Sequence, residues 1–503
     1  MTAEFDQIIV GAGSAGCVLA NRLSEDPRKR ILLLEAGPRD THLWIRVPLG
    51  YGKLFARTDV NWAYDSEPEP ALNGRRVFTP RGKVLGGSSS INGLVYIRGQ
   101  REDFDGWGIA GWDFDALTPY FRKSALKVSE LPRHELCDAF IDSAAALGIP
   151  RNDDFNGPEQ EGTGYYRATT FKGRRSSAAT AYLRPAEKRP NLHIEVNSLA
   201  TRILFDGRRA VGVESKGKTF KAKEILLCAG AFNSPQLLQL SGVGPRALLE
   251  RHGIAVVHDS PGVGEDLQDH FYARTFWRCR KKLTLNDDMA SILGKMKLGL
   301  NYFLLKKGPM TVAAGYAAAF VRTLPASKRP DAQLYFINFS SARRGGVLHP
   351  HSGFTCAVSQ LQVESRGSVA IRSADPKAPP AIRYNYLATE NDRRVMVEGL
   401  KLARKICTTK PLGDYAEAEF QPGPGVKSDE DWLAYCRDYG ETVFHPTSTC
   451  RMGRVVDERC RVKGVEKLRV VDASVMPSVP SGNINAAVIA VAEKAADLIR
   501  EDA

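Results

Sequence analysis

The chain opens on "FDQIIV", Phe5 to Val10, whose apolar positions read as a buried strand. A glycine turn, a helix-length segment, the charged loop "SEDPRKR" and a second apolar run, "ILLLEAG", follow it. Strand, turn, helix and strand in that order predict a β-α-β unit. The stretch "EILLCAGAFNSPQLLQLSGVG", Glu224 to Gly244, predicts a further strand, a bend of small residues and a short helix opened by Pro235. The longest apolar tract, Gly308 to Val321, holds Pro309 and Gly315 and is too short to cross a bilayer. No internal repeat or low-complexity linker interrupts the pattern.

At 503 residues the chain exceeds what one hydrophobic core serves, so two domains are expected, interleaved in sequence. With 43% hydrophobic and 25% charged residues, it is excluded from the disordered and membrane-embedded classes. The 70 Lys and Arg against 57 Asp and Glu give a formal charge of +13, which favours an anionic partner. The basic residues come in small groups such as "RCRKK" and match no nucleic-acid module, so no nucleic acid is expected. A dianionic cofactor accounts for part of the excess. Nine scattered cysteines without a C-x-x-C pair suit reduced thiols. The strand-like start leaves no room for a leader, and the expected compartment is the cytoplasm. "HPH" at His349 to His351 lacks a nearby third ligand and reads as a surface turn, so no metal site is expected.

The turn after the first strand carries Gly11, Gly13 and Gly16. The first permits the tight turn, the second lets the backbone approach a pyrophosphate, and the third lets helix and strand touch. Phosphates then meet the positive end of a helix. Glu35 ends the second strand, at the spacing where a carboxylate accepts hydrogen bonds from an adenosine ribose and repels a 2'-phosphate. These features predict dinucleotide binding and suit NAD and FAD equally. A second glycine loop, "TPRGKVLGGSSSINGLVYIRG", Thr79 to Gly99, offers backbone amides to a bulky phosphate-bearing ligand, and Ala229 and Gly230 allow something flat to approach.

The two loops together resemble the signature patterns of the glucose-methanol-choline (GMC) oxidoreductases, which are FAD-dependent flavoproteins. The resemblance continues through "GWDFDALTPYFRKS", "PGVGEDLQDH" and "SRGSVAIRSADP" to "LRVVDASVMPSVPSGNINAAVIAVAEKAADLI", nearly the whole chain in order. It implies an α/β Rossmann-type FAD domain from residues 1–150, 190–270 and 455–503. It also implies an α+β substrate domain on an antiparallel sheet from 151–189 and 271–454. By the same resemblance Ser14, Ala15, Ala36, Trp62, Arg81, Gly82, Val84, Gly86, Gly87, Ser88, Ala200 and Ser234 join the glycines as cofactor contacts. Asn92, Gly93, Leu94 and Val95 become flavin-loop contacts, and Asp472 and Ala473 lie beside the flavin. An alanine-rich helix begins near Asn485, its positive end facing the reduced flavin. Some members attach FAD through a histidine where this chain has Ile91, so the cofactor is expected to be non-covalent.

Oxidising an alcohol removes a proton from oxygen and a hydride from carbon, and a flavin takes the hydride. Histidine has a pKa of about 6.5 and water, standing in for an alcohol, about 15.7. That gap of roughly 9 units is about 12 kcal/mol, too much for a freely formed alkoxide. The base must act as hydride leaves, or beside donors that stabilise the oxyanion. The resemblance assigns the base to His445 in "FHPTSTCRMG" and a partner carboxamide to Asn485, which also suits a helix cap. His270 in "LQDH" reads as structural. A flavin-containing lyase, with FAD as scaffold, and a non-catalytic binding protein remain competing readings.

The substrate is expected to be a small neutral aliphatic or aromatic primary alcohol, with quinone, dye or oxygen as external electron acceptor and dehydrogenase favoured over oxidase. Choline ranks second, because choline-handling relatives carry a glutamate before an "AGGF"-like segment where this chain reads "YAAAF", Tyr316 to Phe320. Relatives commonly insert a glycine-rich, histidine-containing segment after the counterpart of "PYFRKS"; here "ALKVSELPRHELCDAF" follows directly, implying a shortened lid.

Overall fold

The computed structural model describes residues 4–312, 315–342 and 345–502. Strands Phe5–Val10, Ile31–Leu34 and Leu192–Glu195, the inner half of Lys218–Leu227, and Leu468–Val470 run parallel in one sheet. The outer half of Lys218–Leu227 continues as an antiparallel ribbon with Ala200–Asp206 and Arg209–Ser215. The helices Ser14–Leu23 and Asn485–Glu501 pack together over this sheet. Glu493, buried in the second helix, accepts two bonds of 2.8 Å from Arg22 and one of 2.9 Å from the Tyr182 hydroxyl, so its charge is paired.

The second sheet is antiparallel, in the order Ala416–Gln421, Phe271–Cys279, Gly353–Gln360, Ala332–Ile337, Ala317–Val321, Gly162–Tyr165. The helix Glu390–Thr408 packs across it, and each sheet has its own hydrophobic core. The parallel sheet and its ribbon draw their strands from residues 5–34, 192–227 and 468–470, the antiparallel sheet from 162–165 and 271–442. Helix Glu135–Ala146, within 1–150, buries Leu136, Phe140 and Ile141 in the core of the antiparallel sheet. Residues 178–186 instead bury Tyr182 and Leu183 against the parallel sheet's core. Both follow the apolar faces they must cover.

All nine cysteines are buried and unpaired. Among the described residues no helix is long and apolar enough to cross a membrane, and residues 317–321 of the apolar tract form a strand.

Candidate active site

The carboxyl ends of the parallel strands deliver Gly11, Glu35, Cys228 to Gly230 and Asp472 to one edge, where open α/β sheets bind ligands. There they line a cavity of about 490 Å³ whose far wall is the antiparallel sheet. Gly11 has φ +98°, and a Cβ there would stand 2.6 Å from the Cys228 carbonyl oxygen. A Cβ on Gly16 would stand 1.9 Å from the Gly11 carbonyl oxygen, so helix and strand touch only because both residues are glycine. Helix Ser14–Leu23 has no side-chain cap and no acidic residue in its first turn, so its N–H groups suit an anion.

The second glycine loop rests on the first. The Gly86 N–H donates to the Ala12 carbonyl at 2.7 Å, and a Cβ on Gly87 would stand 2.6 Å from Gly13 Cα. Arg81 donates to Ser88 Oγ (2.8 Å) and to the Phe444 carbonyl (3.0 Å), tying this loop to the segment of His445. The Ala229–Gly230 bend is held by Asp472, whose Oδ2 accepts from the Gly230 N–H (2.8 Å) and Ser234 Oγ (2.6 Å).

Most of the expected contacts line the cavity, including Ser14, Ala15, Ala36, Trp62, Gly82, Asn92 to Val95, Ala200 and Ala473. Gly16, Val84, Gly86 and Ser234 do not. Gly16 and Gly86 serve backbone packing, Ser234 fixes the bend, and Val84 sits in a small apolar cluster with Ile45, Leu54, Val60 and Ile91. Residues 125–140, where the resemblance implies a shortened lid, do not line the cavity; the Ala125 N–H is held by Tyr182 Oη (2.8 Å) and the Lys127 N–H by Ser176 Oγ (3.0 Å).

Glu35 accepts from the Ala12 N–H (2.9 Å) and the Gly37 N–H (2.8 Å). Burial outweighs these bonds and pushes its pKa up to about 7. Beside it Ser198, missed by the sequence, lines the cavity with a buried Oγ that has no protein partner. An adenosine ribose and base would satisfy that hydroxyl. Because folded Glu35 holds its proton more tightly than the unfolded chain does, ionising it costs stability as pH rises from about 4.5 to about 7. The cofactor-free protein is therefore expected to lose stability over that window through Glu35, and Glu35→Gln to remove that slope. Melting temperatures of both proteins across the window check this, and parallel profiles would contradict it.

His445 follows the short strand Glu441–Thr442, which pairs with Phe271 and Tyr272. Val443 and Thr447 bond back to His270 (3.1 Å) and Gln268 (2.9 Å), so the two histidine segments run side by side. Asp269 anchors the turn: its carboxylate accepts from the His445 N–H at 2.6 Å and from the Tyr386 and Thr442 hydroxyls. Burial lifts its pKa to about 6 against those bonds.

The imidazole of His445 has a ring partner on each side. Its Nδ1 lies 3.0 Å from His270 Nδ1, and its Nε2 lies 3.1 Å from Asn483 Nδ2. His270 Nε2 lies 3.1 Å from the Leu361 carbonyl, which only accepts, so the proton of a neutral His270 is on Nε2. His270 Nδ1 must then accept from His445 Nδ1–H, leaving the lone pair of His445 on Nε2. Burial holds His270 neutral by lowering its pKa to about 4. His270 therefore sets the tautomer of His445 as well as filling space. Asn483 is oriented in turn: its Oδ1 accepts from Gln333 Nε2 (3.4 Å), and Gln333 Oε1 accepts from Tyr335 Oη (2.9 Å).

The carboxamide beside the imidazole is thus Asn483, whereas the sequence reading chose Asn485. Asn485 is the first residue of its helix and makes no cap; its Oδ1 accepts from Ser14 Oγ at 2.7 Å, on the phosphate-loop side. The alternation in "NIN" offers two asparagines, and only the place where the helix begins decides which reaches His445.

The antiparallel sheet contributes Tyr272, Arg274, Tyr335, Ile337 and Thr355 to the far wall, with Leu285 and Met289 beside them. Among the described residues, the only carboxylates lining the cavity are Glu35 and Asp472, both at the ends of parallel strands. Ala317–Val321 is wholly buried in the sheet and does not line the cavity.

A family model described as GMC oxidoreductase matches residues 5–272, and its C-terminal counterpart, with the same description, matches residues 363–492. The chain belongs to the GMC oxidoreductase family. This GMC oxidoreductase is 41% identical to an alcohol dehydrogenase [acceptor] of Pseudomonas putida, over 98% of this chain and 95% of that one. It is 40% identical to an oxygen-dependent choline dehydrogenase of Photobacterium profundum, over 99% and 93%. Its fold is similar to that of pyridoxine 4-oxidase from Mesorbium loti, with TM-score 0.88, 30% identity and 99% of both chains covered. A formate oxidase of Aspergillus oryzae RIB40, described with its FAD modification, gives TM-score 0.93 at 27% identity over 99% and 98%. GMC oxidoreductases use FAD, and the paired glycine loops, the uncapped helix, Glu35 and the unsatisfied Ser198 hydroxyl fit that dinucleotide.

Proposed function

We propose that the enzyme oxidises a primary alcohol to an aldehyde, with His445 Nε2 as base and Asn483 as hydrogen-bond donor to the substrate oxygen. The observation that carries this reading is the pair itself: an imidazole whose lone pair is fixed on Nε2, 3.1 Å from a carboxamide N–H. An alcohol oxygen seated against both groups takes the place of their mutual hydrogen bond, giving its proton to Nε2 and accepting from Nδ2, so the charge that develops meets both groups. Once protonated, His445 keeps its Nδ1–H on His270, and the imidazole need not turn. FAD, when bound, supplies the hydride acceptor. Ile91 offers no atom for a covalent bond to it, which supports non-covalent retention by the two glycine loops. Nine unpaired thiols support the cytoplasm as compartment. We rank an external acceptor, quinone or dye, above oxygen.

The far wall supports a neutral aliphatic or aromatic alcohol. Arg274, paired with Glu441 at 3.4 Å, is the charged group there, and among the described residues no carboxylate lines that wall to face a quaternary ammonium. Choline is the second reading, favoured by the 40% identity to a choline dehydrogenase. Dye-coupled kcat/KM for benzyl and short-chain alcohols is expected to exceed that for choline by about tenfold or more, the effect of one missing charge contact. A preference for choline would reverse the ranking.

A further inference from the structure

The helix Ile292–Leu305 turns its apolar side outward. Only Leu298 and Tyr302 are buried, while Ile292 is 78%, Leu293 76% and Leu304 74% exposed. With Met296, Leu300 and Phe303, also exposed, these residues recur at helical spacing as a face about 120° wide, opposite the buried pair. Lys295 and Lys297 flank that face on either side, and Lys306 and Lys307 close its end. From Met289 to Pro330 the sequence contains seven Lys or Arg and no Asp or Glu. The hairpin at 170–175 reaches Lys306, since a Cβ on Gly173 would stand 2.8 Å from its carbonyl oxygen. It adds Phe171, half exposed, with Lys172 over its ring.

We propose that this face docks on a membrane surface bearing anionic lipids, the helix lying in the headgroup plane. An apolar face of this size on a water-soluble fold marks a protein or a membrane contact, and the charges decide between them. A two-fold dimer through the helix would bring the lysines of one copy against those of the other, with no carboxylate on the helix itself and only Asp287 and Asp288 just before it, the latter acting on Lys297 of its own copy. Anionic headgroups meet all four, while the side chains between them enter the acyl boundary. The dock also places the cavity. Met289 lines it, is itself exposed, and lies three residues before the helix, so the cavity reaches the surface where the membrane would be. Alcohols and electron acceptors dissolved in the bilayer would enter there.

The docking rests on the surface alone and is tested without turnover. FAD-loaded enzyme is mixed with vesicles of equal parts phosphatidylcholine and phosphatidylglycerol at low salt and floated on a density gradient. The enzyme is expected to float with them and to bind pure phosphatidylcholine about tenfold less well. Leu293→Glu with Leu300→Glu, on the exposed face, is expected to cut flotation at least about tenfold with dye-coupled turnover unchanged. Lys295→Glu with Lys297→Glu does the same to the anionic-lipid preference. Enzyme that stays at the bottom, or variants that both float like the parent, would overturn the proposal. So would a doubled mass in light scattering that Leu300→Glu halves, which would identify a second copy as the occupant.

Discussion

Replacing His445 with alanine is expected to lower kcat/KM for a primary alcohol by about a hundredfold to ten-thousandfold, the usual effect of a positioned general base. The loss should appear in kcat, because the proton moves only as hydride leaves. FAD should stay bound: the side chain removed contacts His270 and Asn483, while the backbone N–H that Asp269 holds is kept. Dye-coupled rates over a range of pH check this. An unchanged rate in protein with full flavin content would remove the histidine from the chemistry.

Asn483→Ala is expected to cost roughly a hundredfold to a thousandfold in kcat, as the loss of one oxyanion donor does elsewhere. Asn485→Ala, two residues on, should change kcat only a few-fold, because its carboxamide holds Ser14 on the phosphate loop. It should instead weaken retention of FAD by about tenfold, one charge-free hydrogen bond's worth. Measuring kcat and flavin content for both variants separates the two asparagines, and equal kcat losses would contradict the geometry.

That distinction marks how far the sequence could be read. The first β-α-β unit was legible because each glycine has a separate steric task, and Gly11, Gly16 and Gly87 meet neighbours that admit no Cβ. His445 was singled out through the order of motifs around it. The partner was not, since "NIN" places two equivalent carboxamides two residues apart and the turn at Gly482, with φ +123°, sends only the first toward the imidazole. His270 was read as structural because nothing local reveals that residues 268–272 and 441–447 lie side by side. The outward face of Ile292–Leu305 was hidden for a related reason. Apolar spacing reports a face and leaves open whether that face turns in or out, and the overall charge of +13 does not single out its lysines.

The central claim is that an alcohol seated against His445 and Asn483 is oxidised at the flavin. Anaerobic mixing of the FAD-loaded enzyme with benzyl alcohol and short-chain primary alcohols tests it in a single turnover. The account predicts loss of the oxidised flavin absorption and one aldehyde formed per flavin. A flavin spectrum that stays oxidised with every primary alcohol, in protein that holds its FAD, would contradict it and leave the cofactor a scaffold.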